Sequence, residues 1–394
     1  MRTSFAWTIT AATRSGRRVD SWQSTVIAWV RALAAVEVAA AHLRALFYPG
    51  MRTIADPPLW FQVFAFFSGF GHQAVLLFFV ISGWLVGGSL LDKRQQNDAI
   101  ANYAVDRLTR LWTVLIPIFL LSLALGMMQG ELDVGAIDYT STGDFSALTF
   151  AGNLLGLQLI FVPTFGNNFA LWSLSNETWY YVLFPVLLAL FGSSRLGVRA
   201  MMALAIIALA IFLPPILMLY FLIWLLGAAC SRIRIECSPA IRAVLILIAL
   251  FASSYCRLRG LNDDLALSAF IPDLILCLLF LLVLCSLDET AGPTSAPARH
   301  LARTGRYFAE FSFTLYLIHV PLIQSLKIAF GKHLGLSQLS PHEPVHLALC
   351  GLMLCGLVFS AWLFYLIFEA RTPQIRKWAK RKLLRPAQPV AVPV

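Results

Sequence analysis

Apolar stretches of membrane-spanning length recur along most of this chain, and they constrain its fold more than any other feature. A helix needs about 20 consecutive apolar residues to cross the hydrocarbon core of a bilayer. Of the 394 residues, 59% are hydrophobic and only 13% are charged, whereas soluble domains are about 45–50% apolar and about 25% charged. The sequence therefore predicts an all-α, polytopic membrane protein rather than two or three soluble domains.

About ten of these stretches are counted as crossings, and the charges between them set the orientation. The approximate limits of the stretches are 24–47, 72–91, 111–128, 178–192, 199–213, 215–231, 240–256, 268–287, 308–329 and 346–368. Loops rich in lysine and arginine favour the cytoplasmic side, and the segment 111–194 contains neither residue. We therefore expect about ten transmembrane helices with the N-terminus and C-terminus cytoplasmic. Arg257 and Arg259 are the main exceptions.

The same pattern divides the chain into three parts. Residues 1–23 are expected to form a basic cytoplasmic segment before an uncleaved first span, because no short apolar core with a cleavage site precedes it. Residues 24–370 form the membrane domain, with an external loop at 129–177, and residues 371–394 form a basic cytoplasmic tail. Within the loop, the stretch 150–165 is too apolar for solvent and too short to cross, which predicts an interfacial or re-entrant helix. A miscounted pair of spans is the alternative.

Composition argues against three classes of site. The net charge of +10 does not indicate nucleic-acid binding, because the basic residues lie in turns between apolar spans. The seven cysteines are odd in number and lie mostly within those spans, so we interpret them as buried hydrophobic side chains rather than a disulfide framework. No CxxC or histidine-rich spacing typical of zinc occurs, and no metal is predicted.

Two ionisable residues in the first apolar stretch give the strongest functional signal. Arg31 and His42 are eleven residues apart, which is about three helical turns plus 20°, so they share one face about 16 Å apart along the axis. Glu37 lies about 120° away from Arg31 on the same count. An ionisable group at membrane depth indicates a functional cavity. The alternative is that Arg31 snorkels to the inner surface and His42 to the outer one.

Two further stretches carry polar or small residues in the membrane domain. Arg107 and Arg110 are three apart, hence adjacent on one helix face, and form a candidate phosphate clamp, although positive-inside anchoring explains them nearly as well. The second stretch carries His72 at its outer end. Its Gly83 and Gly87 have the spacing typical of close helix packing.

A third stretch, "NNFALWSLSNETWYYVLFP", brings Trp172, Ser173 and Glu177 to the outer mouth of a span. The alternative is that the tryptophan belongs to an ordinary aromatic belt and that the polar run caps a helix beginning near Thr178. Farther along, Glu369 and Arg371 are expected to form a surface pair at the inner end of the last span. The segment 288–306 is expected to be the longest cytoplasmic linker.

Six stretches in this order resemble the family-3 membrane acyltransferases over roughly residues 25–370. They are Arg-x10-His in the first span, "LFFVISGWL", "DRLTRL", "LWSLSNETWYYVLFP", "LIWLLGAA" and "FSFTLYLIHVPL". The chain departs from the family at one place, where a proline often follows the second arginine. Here Trp112 and Thr113 occupy that region and Pro117 lies further on. We expect the stand-alone form of the family, without an added esterase-like domain.

The resemblance implies a reaction. Family members modify cell-envelope polysaccharides, lipid-linked sugars, nodulation factors or macrolides. It therefore implies a multi-pass protein of the bacterial inner membrane that moves an acyl group, most often acetyl, from cytoplasmic acyl-CoA to a hydroxyl of a glycan or other small acceptor. Acyl-CoA is the co-substrate and no metal takes part. The family's essential arginine and histidine map onto Arg31 and His42, and its cytoplasmic arginine pair maps onto Arg107 and Arg110.

A mechanism that fits these residues uses His42 as a general base on the acceptor hydroxyl, with a covalent acyl-histidine left open. Arg31 would line the path of the thioester arm. Tyr316 and His319, three apart on the ninth span, would donate to the oxyanion, or else be a packing tyrosine and an outer-mouth histidine. Glu177 would orient the histidine or bind the sugar. The substrate-binding candidates are Trp172, Ser173 and His72.

Two other functions are compatible with buried charges in ten spans. A secondary transporter or flippase is the main alternative, although the inverted repeats with matched broken helices that such proteins tend to show are not evident. A scaffold or sensor is the second alternative, and it leaves Arg31 and His42 unexplained. The oligomeric state is not predicted.

Overall fold

The computed structural model describes residues 8–11, 21–96, 98–129, 144–260, 265–288, 291–335 and 338–384. The described helices are α1 (Trp22–Phe47), α2 (Leu59–Phe67), α3 (Gly71–Ser82), α4 (Gly88–Lys93), α5 (Ala99–Gln129), α6 (Ala147–Leu154), α7 (Leu171–Gly192), α8 (Leu196–Phe212), α9 (Pro215–Cys230), α10 (Pro239–Arg259), α11 (Phe270–Ser286), α12 (Ala296–Glu310), α13 (Ser312–Leu334), α14 (Pro344–Ile367) and α15 (Thr372–Leu383). A π-helical turn, Gly83–Gly87, joins α3 to α4.

The helices confirm an all-α membrane fold. Six helical segments are long and apolar enough to cross a bilayer: Trp22–Thr53, Leu59–Lys93, Ala99–Gln129, Pro239–Arg259, Ser312–His333 and Pro344–Leu383. The helices α8, α9 and α11 are apolar but shorter. Each of the ten predicted stretches coincides with a described helix. Ten crossings and two cytoplasmic termini stay predictions.

Strand structure is confined to one small pair of strands among the described residues. The strands β1 (Thr8–Ala11) and β2 (Ile233–Glu236) pair antiparallel, with Thr8 opposite Glu236 and Ala11 opposite Ile233. The pairing joins the segment before α1 to the turn between α9 and α10. Part of the segment 1–23, predicted only as basic and cytoplasmic, is therefore attached to the helical bundle.

Two local expectations from the sequence are wrong. The helix α7 begins at Leu171 rather than near Thr178, so the polar run lies within its first two turns and does not cap it. Most of the expected linker 288–306 lies in α12.

The stretch 150–165, predicted to be an interfacial or re-entrant helix, is helical at its start, in α6, and then turns back through a short bridge between Gln158 and Val162. Its position relative to the membrane stays a prediction.

Glycines bring α3 and α9 into close contact, as the small-residue spacing predicts. A Cβ atom at Gly83 would overlap the carbonyl oxygen of Trp224, and one at Gly227 would overlap that of Val80. A Cβ at Gly87 would lie 2.6 Å from the Cβ of Ala228. Because the two backbones touch, no larger residue fits at these positions without moving a helix.

The central position of α1 places the functional residues. This helix packs against α3, α12 and α13, and its Ala35, Val38 and Ala39 are almost completely buried. Small residues on that face let the neighbouring helices approach closely. The ionisable residues of α1 therefore point at other helices of the bundle.

Candidate active site

A cavity of about 660 Å³ lies among α1, α3, α5, α7, the junction of α12 with α13, and the beginning of α15. Its rim includes the exposed residues Glu310 and Pro373. Its other end is lined by Val75, Phe79 and Leu174, which are buried. The cavity therefore opens where α1 and α5 begin, which is the predicted cytoplasmic side, and is closed inside the bundle.

Arg31 lines this cavity and is anchored at the turn between α12 and α13. Its Nη2 lies 3.2 Å from the carbonyl oxygen of Ala309 and 3.4 Å from the Oγ of Ser312, both as acceptors. Two fixed acceptors hold the guanidinium in place while its remaining N–H groups stay available to a ligand. The arginine does not snorkel to the surface.

The predicted arginine pair also lines the cavity, but its two members have different surroundings. The Nη1 of Arg110 lies 2.7 Å from the Oε1 of Glu369. The guanidinium of Arg107 lies over the rings of Tyr103 and Tyr181, 5.9 Å and 5.7 Å from their centroids. Its Nε is buried without a hydrogen-bond partner among the described residues. Arg107 therefore keeps more unused hydrogen-bonding capacity than Arg110.

Glu369 corrects a prediction and is a site residue that sequence reasoning missed. Instead of forming a surface pair with Arg371, it is 3% exposed and binds Arg110. Its Oε2 accepts a hydrogen bond of 2.6 Å from the Oγ1 of Thr314. A buried carboxylate requires such partners. A lone acid at the end of an apolar helix was the available signal, but its partner lies more than 250 positions earlier in the chain.

Glu177 lies within a hydrogen-bond network on the cavity wall. Its Oε1 accepts a bond of 2.7 Å from the Oγ of Ser82 and another from the hydroxyl of Tyr181. The Oγ of Ser82 in turn accepts a bond of 3.1 Å from the Nε1 of Trp224. No hydrogen bond joins Glu177 to His42, both being described residues, so the geometry does not give the carboxylate the predicted task of orienting that histidine.

His42 and His319 form a pair of stacked imidazoles. The Nδ1 of His42 lies 2.8 Å from the Nε2 of His319, and the rings are nearly parallel with centroids 5.1 Å apart. His319 is fully buried. The ring of Phe169 meets His42 edge-on at 4.9 Å. The two histidines come from predicted spans one and nine, so α1 and α13 bring together residues separated by 277 positions.

The surroundings of the pair determine its tautomers. The Nδ1 of His319 lies 3.3 Å from the carbonyl oxygen of Leu315, and because a carbonyl only accepts, this nitrogen carries the proton. With both rings neutral, the Nε2 of His319 is the acceptor and the Nδ1 of His42 is the donor. The free lone pair of His42 is then on its Nε2.

Tyr316 and Ser173 separate the cavity from the histidine pair. Both line the closed end of the cavity, and the Tyr316 hydroxyl lies 2.6 Å from the Oγ of Ser173. The Tyr316 ring is 5.8 Å from that of His319. His42 and His319 do not line the cavity. The cavity thus reaches Arg31 but stops one side chain short of the imidazoles in this structure.

Two predicted substrate-binding residues lie outside the cavity. Trp172 is half-buried and packs with its ring 6.3 Å from that of Phe79. The Nε2 of His72 lies 3.0 Å from the Oδ2 of Asp273, which also accepts a bond of 2.6 Å from the Tyr220 hydroxyl. His72 does not line the cavity, and its substrate-binding role stays a prediction.

The residues that the structure describes contain no cluster of three or more His, Cys, Asp or Glu side chains able to hold a metal ion. The groups available to a ligand in the cavity are arginine N–H groups, carboxylates and hydroxyls. Of these, the arginine N–H groups suit a phosphate-bearing molecule.

A family model described as an acyltransferase domain, that of family 3, matches residues 25–367. The match spans nearly all of the helices from α1 to α14. No curated protein and no solved structure matches the chain. The family match favours an enzyme over the transporter or flippase considered from the sequence.

Proposed function

This chain belongs to the family-3 acyltransferases, and from that membership we propose that it transfers an acyl group, acetyl in the simplest case, from cytoplasmic acyl-CoA to a hydroxyl of a cell-envelope or secreted glycan. The observation that carries the proposal is the one-ended cavity, which is arginine-rich at its mouth and closed near two paired imidazoles. We assign the protein to the bacterial inner membrane.

The donor fits the cavity by size and by charge. Ligand sites commonly measure about 300–1,000 Å³, and a volume of about 660 Å³ is enough for the pantetheine arm of acyl-CoA. Five arginines line the cavity, and they are Arg31, Arg107, Arg110, Arg306 and Arg376. The fork of an arginine guanidinium binds phosphate in two-point fashion. Arg110 is paired with Glu369, whereas Arg107 lies over two tyrosine rings and forms no ion pair in the described part of the chain. We propose that Arg107 makes the main contact with the phosphates.

The chemistry begins at the Nε2 of His42. This nitrogen takes the proton of the acceptor hydroxyl, and the resulting alkoxide attacks the carbonyl carbon of the thioester. When the tetrahedral intermediate collapses, the C–S bond breaks and the thiolate of CoA takes the proton back from the imidazolium. His319 accepts the Nδ1–H of His42 and so fixes the tautomer, a positioning role that replaces its predicted role as an oxyanion donor.

The thioester reaches His42 only if Tyr316 moves. Its hydroxyl would leave Ser173, and the ring would swing aside from the closed end of the cavity. The freed hydroxyl is then a donor for the developing oxyanion, which is worth several kcal/mol where water is excluded. The glycan acceptor would enter from the opposite side, where Phe169 meets His42.

Purified protein given labelled acetyl-CoA tests the proposal. We expect acyl transfer or slow thioester hydrolysis by the wild type, and a loss of about 10²- to 10⁴-fold in His42→Ala, the usual contribution of a general base. The matched control is His333→Ala, because His333 is exposed near the end of α13. Full activity of His42→Ala, or acetyl-CoA binding without any reaction in the wild type, would refute the assignment.

The acceptor requires a separate experiment. We expect mass spectrometry of envelope glycans and secreted metabolites to show that one acetylated species disappears in a deletion strain and returns with the wild-type gene. The gene carrying His42→Ala should not restore it. An unchanged acylation profile would remove the glycan from the proposal while leaving the donor chemistry to be judged by the assay with purified protein.

A further inference from the structure

The helix α15 is strongly basic and follows the last apolar helix directly. A short 3-10 turn, Glu369–Arg371, separates it from α14. Along Thr372–Leu383 it carries five basic residues and no acidic one, and the basic residues are Arg376, Lys377, Lys380, Arg381 and Lys382. The proposed reaction uses only one side of this helix, where Thr372, Pro373 and Arg376 line the cavity mouth.

One face of α15 is fixed to the bundle. Lys380 Nζ lies 2.7 Å from the Oδ1 of Asp106 in α5, and Arg376 Nε lies 3.5 Å from the same oxygen. Thr372 and Ala379 are buried on this face. The contact places α15 across the beginning of α5, next to the arginines of the cavity. Its orientation is therefore set by the protein.

The opposite face combines apolar and unpaired basic side chains. Ile375 and Trp378, three apart and so on one face, are 40% and 56% exposed. Lys377, Arg381 and Lys382 are also exposed and form no ion pair with an acidic residue in the described part of the chain. A tryptophan beside an aliphatic residue, flanked by lysines and arginines, is typical of a helix that lies in the membrane interface.

We propose that α15 lies on the anionic lipid headgroups of the leaflet next to the cavity mouth. Ile375 and Trp378 insert at the acyl boundary, and Lys377, Arg381 and Lys382 bind lipid phosphates. Lysine and arginine side chains near an anionic lipid surface are attracted to it. Because the other face of α15 forms part of the cavity wall, lipid binding holds the mouth in the shape that admits acyl-CoA. Only this last step rests on the proposed function.

Hydrogen–deuterium exchange of the full-length protein in lipid nanodiscs tests the lipid contact without any assay of activity. We expect the amides of α15 to exchange about tenfold more slowly when about a third of the phosphatidylcholine is replaced by phosphatidylglycerol. The triple variant Lys377→Gln/Arg381→Gln/Lys382→Gln should lose that difference. The control Lys327→Gln/Lys332→Gln removes exposed charge from α13 and should keep it.

Other outcomes decide against the proposal. Equal exchange in the two lipids, or the same lipid effect in the triple variant, overturns the lipid contact. If free phosphate or soluble glycerol phosphate protects α15 in neutral nanodiscs as well as the anionic lipid does, the site binds phosphate in solution instead. A lipid effect on exchange with no change in the KM for acetyl-CoA confirms the contact and refutes its coupling to the donor.

Discussion

At the scale of single residues, the hydrogen bonds around His42 explain why two histidines lie together in the candidate site. A lone imidazole in this position would exchange between two tautomers and present its lone pair at either nitrogen. Two hydrogen bonds, from His319 to the Leu315 carbonyl and from His42 to His319, leave only one tautomer for each neutral ring. Because His319 is a neutral acceptor, it fixes the tautomer of His42 without a buried anion, whose desolvation would be costly.

This role of His319 gives a prediction. A glutamine oxygen reaches about as far as the imidazole Nε2 and accepts the same hydrogen bond, whereas phenylalanine fills the space but accepts none. We expect His319→Phe to lower kcat at least tenfold more than His319→Gln, with a similar KM for acetyl-CoA in both. A wrong tautomer can reduce kcat by about 10⁴ in other enzymes. Equal losses in the two variants would exclude the positioning role.

A second prediction concerns the buried ion pair of Arg110 and Glu369. Removing one partner of such a pair leaves the other charge unpaired, which is strongly destabilising. We expect Arg110→Gln and Glu369→Gln each to lower the thermal unfolding temperature in detergent, and the double variant to lower it by less than the sum of the two. The coupling should be about 0.5–3 kcal/mol. Additive effects would mean that the two side chains act independently.

At the scale of elements, the close contact between α3 and α9 is the clearest packing constraint. Gly83 and Gly227 let two backbones touch beside the π-helical turn. Irregular turns of this kind occur often at functional sites. Here the turn begins directly after Ser82, whose hydroxyl binds Glu177 on the cavity wall. The packing of α3 on α9 therefore positions a polar group of the site.

The contact predicts a difference between two glycines. Gly83→Ala forces a methyl group onto the carbonyl of Trp224, so we expect a clearly lower unfolding temperature and weaker activity. Gly351→Ala lies in α14 with open space around it. It should be neutral or stabilising by about 0.5–1 kcal/mol, because alanine favours the helix more than glycine does. A neutral Gly83→Ala would show that α3 and α9 are not in contact in the membrane.

The helices also show which structural features can be predicted from the sequence alone and which cannot. Hydropathy located the apolar helices, because each carries its own signal. Helical spacing put Arg31 and His42 on one face of α1, and in the structure both contact residues at or beyond the end of α12. Pairings across the bundle were not predictable. Glu369 with Arg110 and His72 with Asp273 depend on which helices are neighbours, and no local pattern encodes that. The start of α7 was misplaced because Ser173 and Glu177 resemble a helix cap when their partners are unknown.

At the scale of the whole molecule, the two ends of the bundle differ. Arginines surround the cavity mouth at the end where α1 begins. At the far end, the ring of Phe169 meets His42 edge-on, and this is the side from which we propose that the acceptor enters. An enzyme built in this way can take a charged donor from one compartment and an alcohol from the other without carrying either across. The arginines at one end of the bundle therefore have a place in the proposed binding of the donor, and they also agree with the predicted orientation in the membrane.

The arginines at the cavity mouth give a prediction about the donor. We expect Arg107→Gln to raise the KM for acetyl-CoA about tenfold, equal to about 1.4 kcal/mol of lost phosphate contact, with kcat little changed. Lys327→Gln, an exposed change on α13, is the control and should match the wild type.

The asymmetry of charge also predicts that the donor acts from one side of the membrane only. Acetyl-CoA does not cross lipid bilayers, so in proteoliposomes it should be consumed only by molecules whose C-terminal tail faces the added donor. A protease-cleavable tag after residue 394 reports that orientation. When turnover is divided by the number of outward-facing tails, the result should be constant across preparations. Turnover that follows the tails facing away from the donor would place the cavity mouth on the other side of the membrane and reverse the proposed direction of transfer.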